Sequence, residues 1–203
     1  MTNMTAPITA KDVAALREKT GAGMMDCKKA LEETGGNIDK AVELLRSKGA
    51  AKAEKRAGRQ TMEGVIASYV HHNGKIAVLV ELNCETDFVA RTDDFQQLGK
   101  YLAEHIAAAD PIAIDKESIP QEKIDSERRI FVEQVKAEGK PEHMIDKIVE
   151  GKVQAFYKDV ALMHQAWVRD PKKTIGDLVK ETSAKTGENV QVRRFVRYQL
   201  GEA

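Results

Sequence analysis

Few residues in this chain have the reach for acid–base, nucleophilic or metal chemistry, and their spacing organises none of it. His71 and His72 are adjacent. Neighbours on a strand point to opposite faces, so the pair cannot jointly hold a metal. Within His71-His72-Asn73-Gly74 they read as turn residues. His105 lies beside Ala107 and Ala108 in a helical stretch, where a histidine is a surface or packing residue. His164 has no acidic partner at helical spacing. Cys27 and Cys84 are far apart and lack metal-ligand neighbours, which suits free thiols in a reducing compartment. No GxxxxGK[ST], GxSxG or HExxH run occurs. Gly21-Ala22-Gly23 follows no strand, so it is a weak phosphate loop. The expectation is a protein without a catalytic group, metal or cofactor of its own.

The chemistry left is that of binding. Residues 84–95 read CETDFVARTDDF, with Phe88 set among Thr86, Asp87, Val89, Arg91, Thr92, Asp93 and Asp94. This run joins a β-like stretch to a helix-like one. Pattern alone leaves two readings of Phe88 open: it plugs the strand-to-helix corner, or it probes another protein. Met24-Met25 follows a glycine turn and suits either an adaptable binding surface or core packing. Residues 46–59 carry six Lys/Arg against one Glu, a local charge of +5. They read as a solvated, helix-prone linker or as a site for an acidic partner surface.

Those residues need elements to position them. Three short helices fill the first fifty residues. Thr9 caps the first, with Val13, Ala14 and Leu16 on its apolar face. The second covers about 24–34 and stops at Gly35-Gly36. The third starts at Asn37 or Asp39 and ends near Gly49. GVIASYV (64–70) and KIAVLVELNC (75–84) form a hairpin, Asn73-Gly74 supplying two positive-φ residues. VQVRRFVRYQL (190–200) is a third strand. It has Val190, Val192, Val196, Tyr198 and Leu200 on one face and Gln191, Arg193, Arg197 and Gln199 on the other, with Arg194 interrupting the first. Helices fall at about 93–109, 120–138 and 142–163. The last two form a coiled-coil-like hairpin with Ile145, Val149, Val153, Phe156, Val160 and Met163 on its seam. A further helix over 174–187 is capped by Thr174 and closed by Gly187. The fold class is α+β. A three-stranded sheet needs helices or a second copy of itself to cover it.

Length and composition agree. The 203 residues allow one large or two small domains. Thirty-two basic and thirty-two acidic residues cancel, which argues against a protein that coats nucleic acid along its whole surface. No apolar run is long enough for a membrane span, and MTNMTAPITAKDV lacks the layout of a signal peptide. A cytoplasmic location is expected.

Taken together these segments resemble the bacterial elongation factor Ts family. LREKTGAGMMDCKKALEETGGNIDKAVELLRSKG (16–49) is similar to its N-terminal module, a ubiquitin-associated-like (UBA-like) three-helix bundle. LNCETDFVARTDDF (82–95) is similar to its signature, and KTGENVQVRRF (185–195) and FVRYQLGE (195–202) to core strand segments. The resemblance implies a guanine-nucleotide exchange factor for elongation factor Tu in its GDP-bound form. It implies two domains, a UBA-like module with basic linker over 1–55 and a core over 56–203 with its helical hairpin at about 120–168. In the family, residues matching Asp87 and Phe88, within the Thr86–Val89 loop, insert between two helices of Tu and displace groups that support Mg²⁺. Arg17, Met24 and Met25 match the part of the module that docks on Tu. His71 matches a core histidine that touches it. Thr186 and Gly187 match a further contact, threonine standing where some members carry a bulky aliphatic. Longer members carry the sheet-containing core twice in tandem. A single hairpin with one terminal strand therefore leads to the expectation of a homodimer that rebuilds the doubled core. Two alternatives stand beside the exchange factor: an adaptor that binds through the N-terminal bundle and dimerises through its core, and a nucleic-acid binder using residues 46–59.

Overall fold

The computed structural model describes residues 8–202. The chain divides into two compact units, each assembled from separated stretches: residues 1–64, 83–95 and 179–191 in the first, and 65–82, 96–178 and 192–203 in the second.

The first unit begins with α1 (Ala10–Thr20), α2 (Met24–Glu33) and α3 (Ile38–Arg56). Thr9 and Asp12 form a reciprocal capping box at the start of α1. Gly21, at φ +66°, ends that helix. Asn37 caps α3, its Oδ1 accepting from the Lys40 amide. Val13, Leu16, Cys27, Ala30, Leu31, Ala41 and Leu45 form the shared core. Ala14, expected on the inner face of α1, is exposed.

Gly49 does not end α3, which runs on through the basic stretch to Arg56. Helix interiors tolerate a single glycine at a cost of about 1 kcal/mol, and the Ala- and Lys-rich sequence beyond it favours helix. Here the glycine has a packing use. A Cβ on Gly49 would lie 3.1 Å from the Cβ of Ala184, on α8 (Ile175–Thr186). Charges reinforce that approach: Arg46 pairs with Glu181 at 3.7 Å, Lys180 with Glu54 at 3.6 Å, and Arg56 donates to the Ser183 carbonyl at 3.2 Å. Residues 46–56 are therefore a packed helical arm, not a free linker.

In the second unit β1 (Glu63–Val70), β2 (Ile76–Cys84) and β5 (Gln191–Gln199) form an antiparallel sheet in the order β1-β2-β5. The turn between β1 and β2 holds one left-handed residue, not two. Gly74 has φ +68°, and the only non-glycine residue with positive φ among the described residues is Asp110. The Gly74 amide donates to the His71 carbonyl at 2.7 Å, and Asn73 uses its side chain to accept from the Lys75 amide. That leaves the Asn73 backbone in an ordinary conformation.

Val78, Val80 and Leu82 of β2 are buried. They lie on the face covered by α5 (Asp93–Ala109), where a Cβ on Gly99 would lie 3.0 Å from the Cβ of Ala67. The opposite face is open. Ile66, Val70, Leu79, Tyr198 and Leu200 are all exposed on it, with Val196 partly so. The apolar face of the last strand thus turns to solvent beyond Val192, while Arg197 of the other face turns inward. Its guanidinium donates to the Ala107 carbonyl and pairs with Asp110 and Glu202, placing a cation at the C-terminal end of α5.

α6 (Gln121–Ala137) and α7 (Glu142–Val160) form the expected antiparallel hairpin. Its core holds Ile124, Val135, Val149 and Val153, with Ile145, Ile148, Tyr157 and Val160 against them. Tyr157 takes the seam position assigned to Phe156. A short ribbon, β3 (Ala166–Trp167) and β4 (Asp170–Thr174), was not legible in the sequence. At the root of the hairpin His105 is fully buried. Its Nε2 faces Gln165 Oε1 at 3.0 Å, and its Nδ1 accepts from the Val168 amide at 3.4 Å. The Gln165 amide group donates in turn to the Ala109 and Asp159 carbonyls. This fixes the neutral Nε2–H tautomer, and burial lowers the imidazole pKa.

Candidate functional site

The corner after β2 is built around Phe88. Thr86 caps α4 (Asp87–Ala90), a single helical turn, by accepting from the Val89 amide at 3.4 Å. Successive helical residues are rotated by about 100°, so positions two apart face opposite sides. Ala90 is buried and Phe88 is turned outward, 79% exposed. That exposure excludes Phe88 as the corner plug. Phe95, fully buried at the start of α5, is the aromatic of this segment that packs in the interior.

The corner is tightly held. Thr92 helps close the turn, its Oγ1 donating to the Val89 carbonyl at 2.8 Å. Asp87 pairs with Arg91 at 2.7 Å, an exposed pair of little energetic weight that fixes both side chains along the turn. Below it the buried Cys84 thiol donates to the Thr86 carbonyl at 3.2 Å. Burial, with the nearby Glu188 charge, pushes that thiol up to about 11, so it stays protonated and unreactive.

The loop between α8 and β5 completes the mount. Gly187, at φ +78°, closes α8, its amide donating to the Ser183 carbonyl. The Glu188 carboxylate accepts from the amides of Glu85 and Thr86, each at 3.0 Å, and from the Thr86 hydroxyl at 2.6 Å. Glu85 reciprocates by accepting from the Asn189 amide at 2.7 Å. Asn189 donates through its side chain to the carbonyls of Ala57 and Arg59 beyond α3. Sequence reasoning missed Glu85, Glu188 and Asn189. The only available signal was a polar Glu-Asn pair wedged between a helix-ending glycine and an apolar strand.

The other candidate residues fall in two places. Arg17 and Met24 line one shallow hollow with Ala14, Glu18 and Gly21. Met24 and Met25 are both exposed in the first turn of α2. Gly21 there is constrained twice, by its positive φ and by the Lys185 side chain 3.0 Å from where a Cβ would sit. Thr186 does not project as an aliphatic would: its hydroxyl donates to the Thr182 carbonyl at 2.9 Å and accepts from the Glu188 amide. Arg17, Met24, Met25, Thr86–Val89 and Gly187 all belong to the first unit, and His71 to the second. His71 lies in the turn past β1, so the strand argument for its separation from His72 does not hold. The two rings are 4.2 Å apart, and the Tyr69 hydroxyl is 2.9 Å from His71 Nδ1. Among the described residues no group of three or more His, Cys, Asp and Glu is arranged to hold a metal, and no helix is long and apolar enough to cross a membrane.

The sequence has close relatives over its whole length. A family model described as elongation factor TS matches residues 2–202. The chain is 57% identical over 195 residues to elongation factor Ts of Fervidobacterium nodosum, covering 96% of this chain and 99% of that one. It is 56% identical over 195 residues to elongation factor Ts of Thermosipho melanesiensis, covering 96% and 100%. Against elongation factor Ts of Nitratidesulfovibrio vulgaris it is 57% identical over 194 residues, covering 96% and 97%. With a signature corner that projects its aromatic and a match that spans nearly every residue, the chain belongs to the elongation factor Ts family.

Proposed function

We propose that this chain promotes guanine-nucleotide exchange on elongation factor Tu by inserting the Thr86–Val89 corner and dislodging the groups that support Mg²⁺ beside GDP. The observation that carries this reading is Phe88, 79% exposed on a turn held by capping and carboxylate hydrogen bonds. A large apolar side chain held out in water is poised to bury itself in a partner, and a rigid mount means little ordering entropy is lost when it does.

The energetics limit what one side chain can do. A thousandfold acceleration requires roughly 4 kcal/mol of differential stabilisation. Fully burying one Phe supplies about 1.5–3 kcal/mol. The balance falls to Val89 and Asp87 and to loss of the metal, whose charge offsets crowded phosphate oxygens. By linkage, bound nucleotide weakens the factor's own binding by the same coupling, so incoming nucleotide expels it. The factor itself makes and breaks no bond.

Residues 1–55 act in this reading as the UBA-like docking module, offering Arg17, Met24 and Met25 to Tu. Residues 56–203 form the core, with Gly187 and His71 as further contacts. The partner is GDP-bound Tu, in the cytoplasm. The protein works as a homodimer, the open sheet face of one copy covering that of another. Release of labelled GDP from Tu tests the central claim. Phe88→Ala should slow stimulated release about 30-fold or more while binding persists. Unchanged release would leave the adaptor reading, in which the N-terminal bundle binds and the corner does nothing.

A further inference from the structure

The carboxylate of Glu188 makes three hydrogen bonds, and all three end on residues 85 and 86. Its Oε2 takes both backbone amides. Its Oε1 takes the proton of the Thr86 hydroxyl. That hydroxyl has one hydrogen to give, so committing it to Glu188 leaves a lone pair for the Val89 amide, the bond that caps α4. The direction of one proton thus links a residue on the far side of the α8 turn to the helical turn bearing Phe88. The two loops are tied in both directions: the Glu188 carboxylate accepts from the Glu85 amide, and the Glu85 carboxylate accepts from the amide of Asn189, the next residue after Glu188. Ser183 Oγ donates to the Glu188 carbonyl at 2.5 Å, and Gly187 precedes it directly.

We infer that Glu188 is the positioning residue for Phe88: it holds the corner in the shape that inserts and makes the Gly187 turn and the Phe88 turn a single rigid jaw. This rests on the insertion reading above. Hydrogen bonds to a charged group are roughly twice as strong as neutral ones, and the two amides lose their shared acceptor if the carboxylate is removed. Without it the loop holding Phe88 samples other conformers, and insertion carries an ordering cost. Binding surface is retained, so the effect falls on the maximal rate and not on the half-saturating concentration.

The experiment uses the full chain and Tu carrying fluorescent GDP, with release followed over a range of factor concentrations. Glu188→Ala should lower the plateau rate about tenfold and shift half-saturation less than about twofold. Glu188→Gln keeps a carbonyl for the two amides and should lose no more than about threefold. In a Phe88→Ala background the Glu188→Ala change should cost almost nothing further, because a positioning residue acts only through what it positions. A full plateau in Glu188→Ala overturns the inference, and so does a tenfold loss that repeats in the Phe88→Ala background, which marks general damage. If Glu188→Ala does not fold, Glu188→Gln in both backgrounds decides the same point: its loss must vanish once Phe88 is gone. Phe88→Ala releasing GDP at the full rate is a separate result, and it removes the insertion reading itself.

Discussion

At the scale of single residues, the polar groups the sequence left unassigned do the most structural work. His105 looked like a routine helical histidine, and no spacing rule distinguishes a surface position from a packed one when only its own element is visible. In the fold it is a neutral hub joining Gln165 and the Val168 amide at the root of the hairpin. Burial lowers its folded-state pKa below the unfolded value. Its contribution to stability is therefore complete above the unfolded pKa of about 6.5 and is lost as pH falls below that, where the unfolded chain takes up a proton that the folded chain resists. Protonation would also aim an Nδ1–H at the Val168 N–H. Thermal midpoints measured from pH 7.5 to 5 should fall with acid in the wild type. They should fall less steeply in His105→Asn, which keeps an acceptor for Val168 and removes the titration. Parallel curves would show that His105 has no part in the acid response. Phe88 was a different case: its pattern left two readings open, and the 100° step between helical residues, fixed once Ala90 is buried, rules out the corner plug.

At the scale of elements, periodicity located the helices well because their apolar spacing is long and regular. Thr9, Asn37 and Thr174 were readable as caps because a short hydroxyl or amide before a periodic run has few other uses. Errors came where one residue type serves two purposes. Gly49 read as a stop because glycine ends helices, whereas here it lets α3 and α8 approach. Gly151, inside α7, has nothing within 4 Å of a Cβ position. The two glycines should respond oppositely. Gly151→Ala should raise unfolding free energy by about 0.5–1 kcal/mol through helix propensity alone. Gly49→Leu should lower it by about 1–3 kcal/mol through overpacking against Ala184. Denaturant midpoints at constant m-value would check both, and a stabilised Gly49→Leu would contradict the packing role. The α8–β5 loop was the largest blind spot. Glu188 makes no pattern with its neighbours, because its partners are more than 100 positions away.

At the scale of the molecule, the α+β class was legible from two helical runs separated by a β-rich hairpin, with a last strand that returns to the sheet. What could not be read is which face of that sheet is covered, since alternation marks two faces without saying which is inside. Arg197 settles it: a guanidinium that satisfies the end of α5 turns inward, and Val196, Tyr198 and Leu200 are left outside. The open face is the basis of the dimer proposal. Sedimentation equilibrium at micromolar concentration should give twice the chain mass, and Tyr198→Glu with Ile66→Glu should halve it without unfolding the hairpin core. A wild-type monomer at that concentration would remove the dimer from the functional account, and with it the idea that each assembly presents two Phe88 corners.

The Glu188 clamp also has a consequence in time. Thr86 and the carboxylate that holds it are 102 residues apart in the chain. Synthesis proceeds N-terminus first at about 5–20 residues per second, so the Phe88 corner emerges roughly 5–20 seconds before its clamp. During that interval the first three helices can close their own core from local contacts, but the corner lacks the carboxylate that accepts from two of its amides in the folded chain. Closing so long a loop is slow relative to local helix formation. In the nascent chain the three-helix core thus forms first and the Phe88 corner is fixed last, once Glu188 has been made.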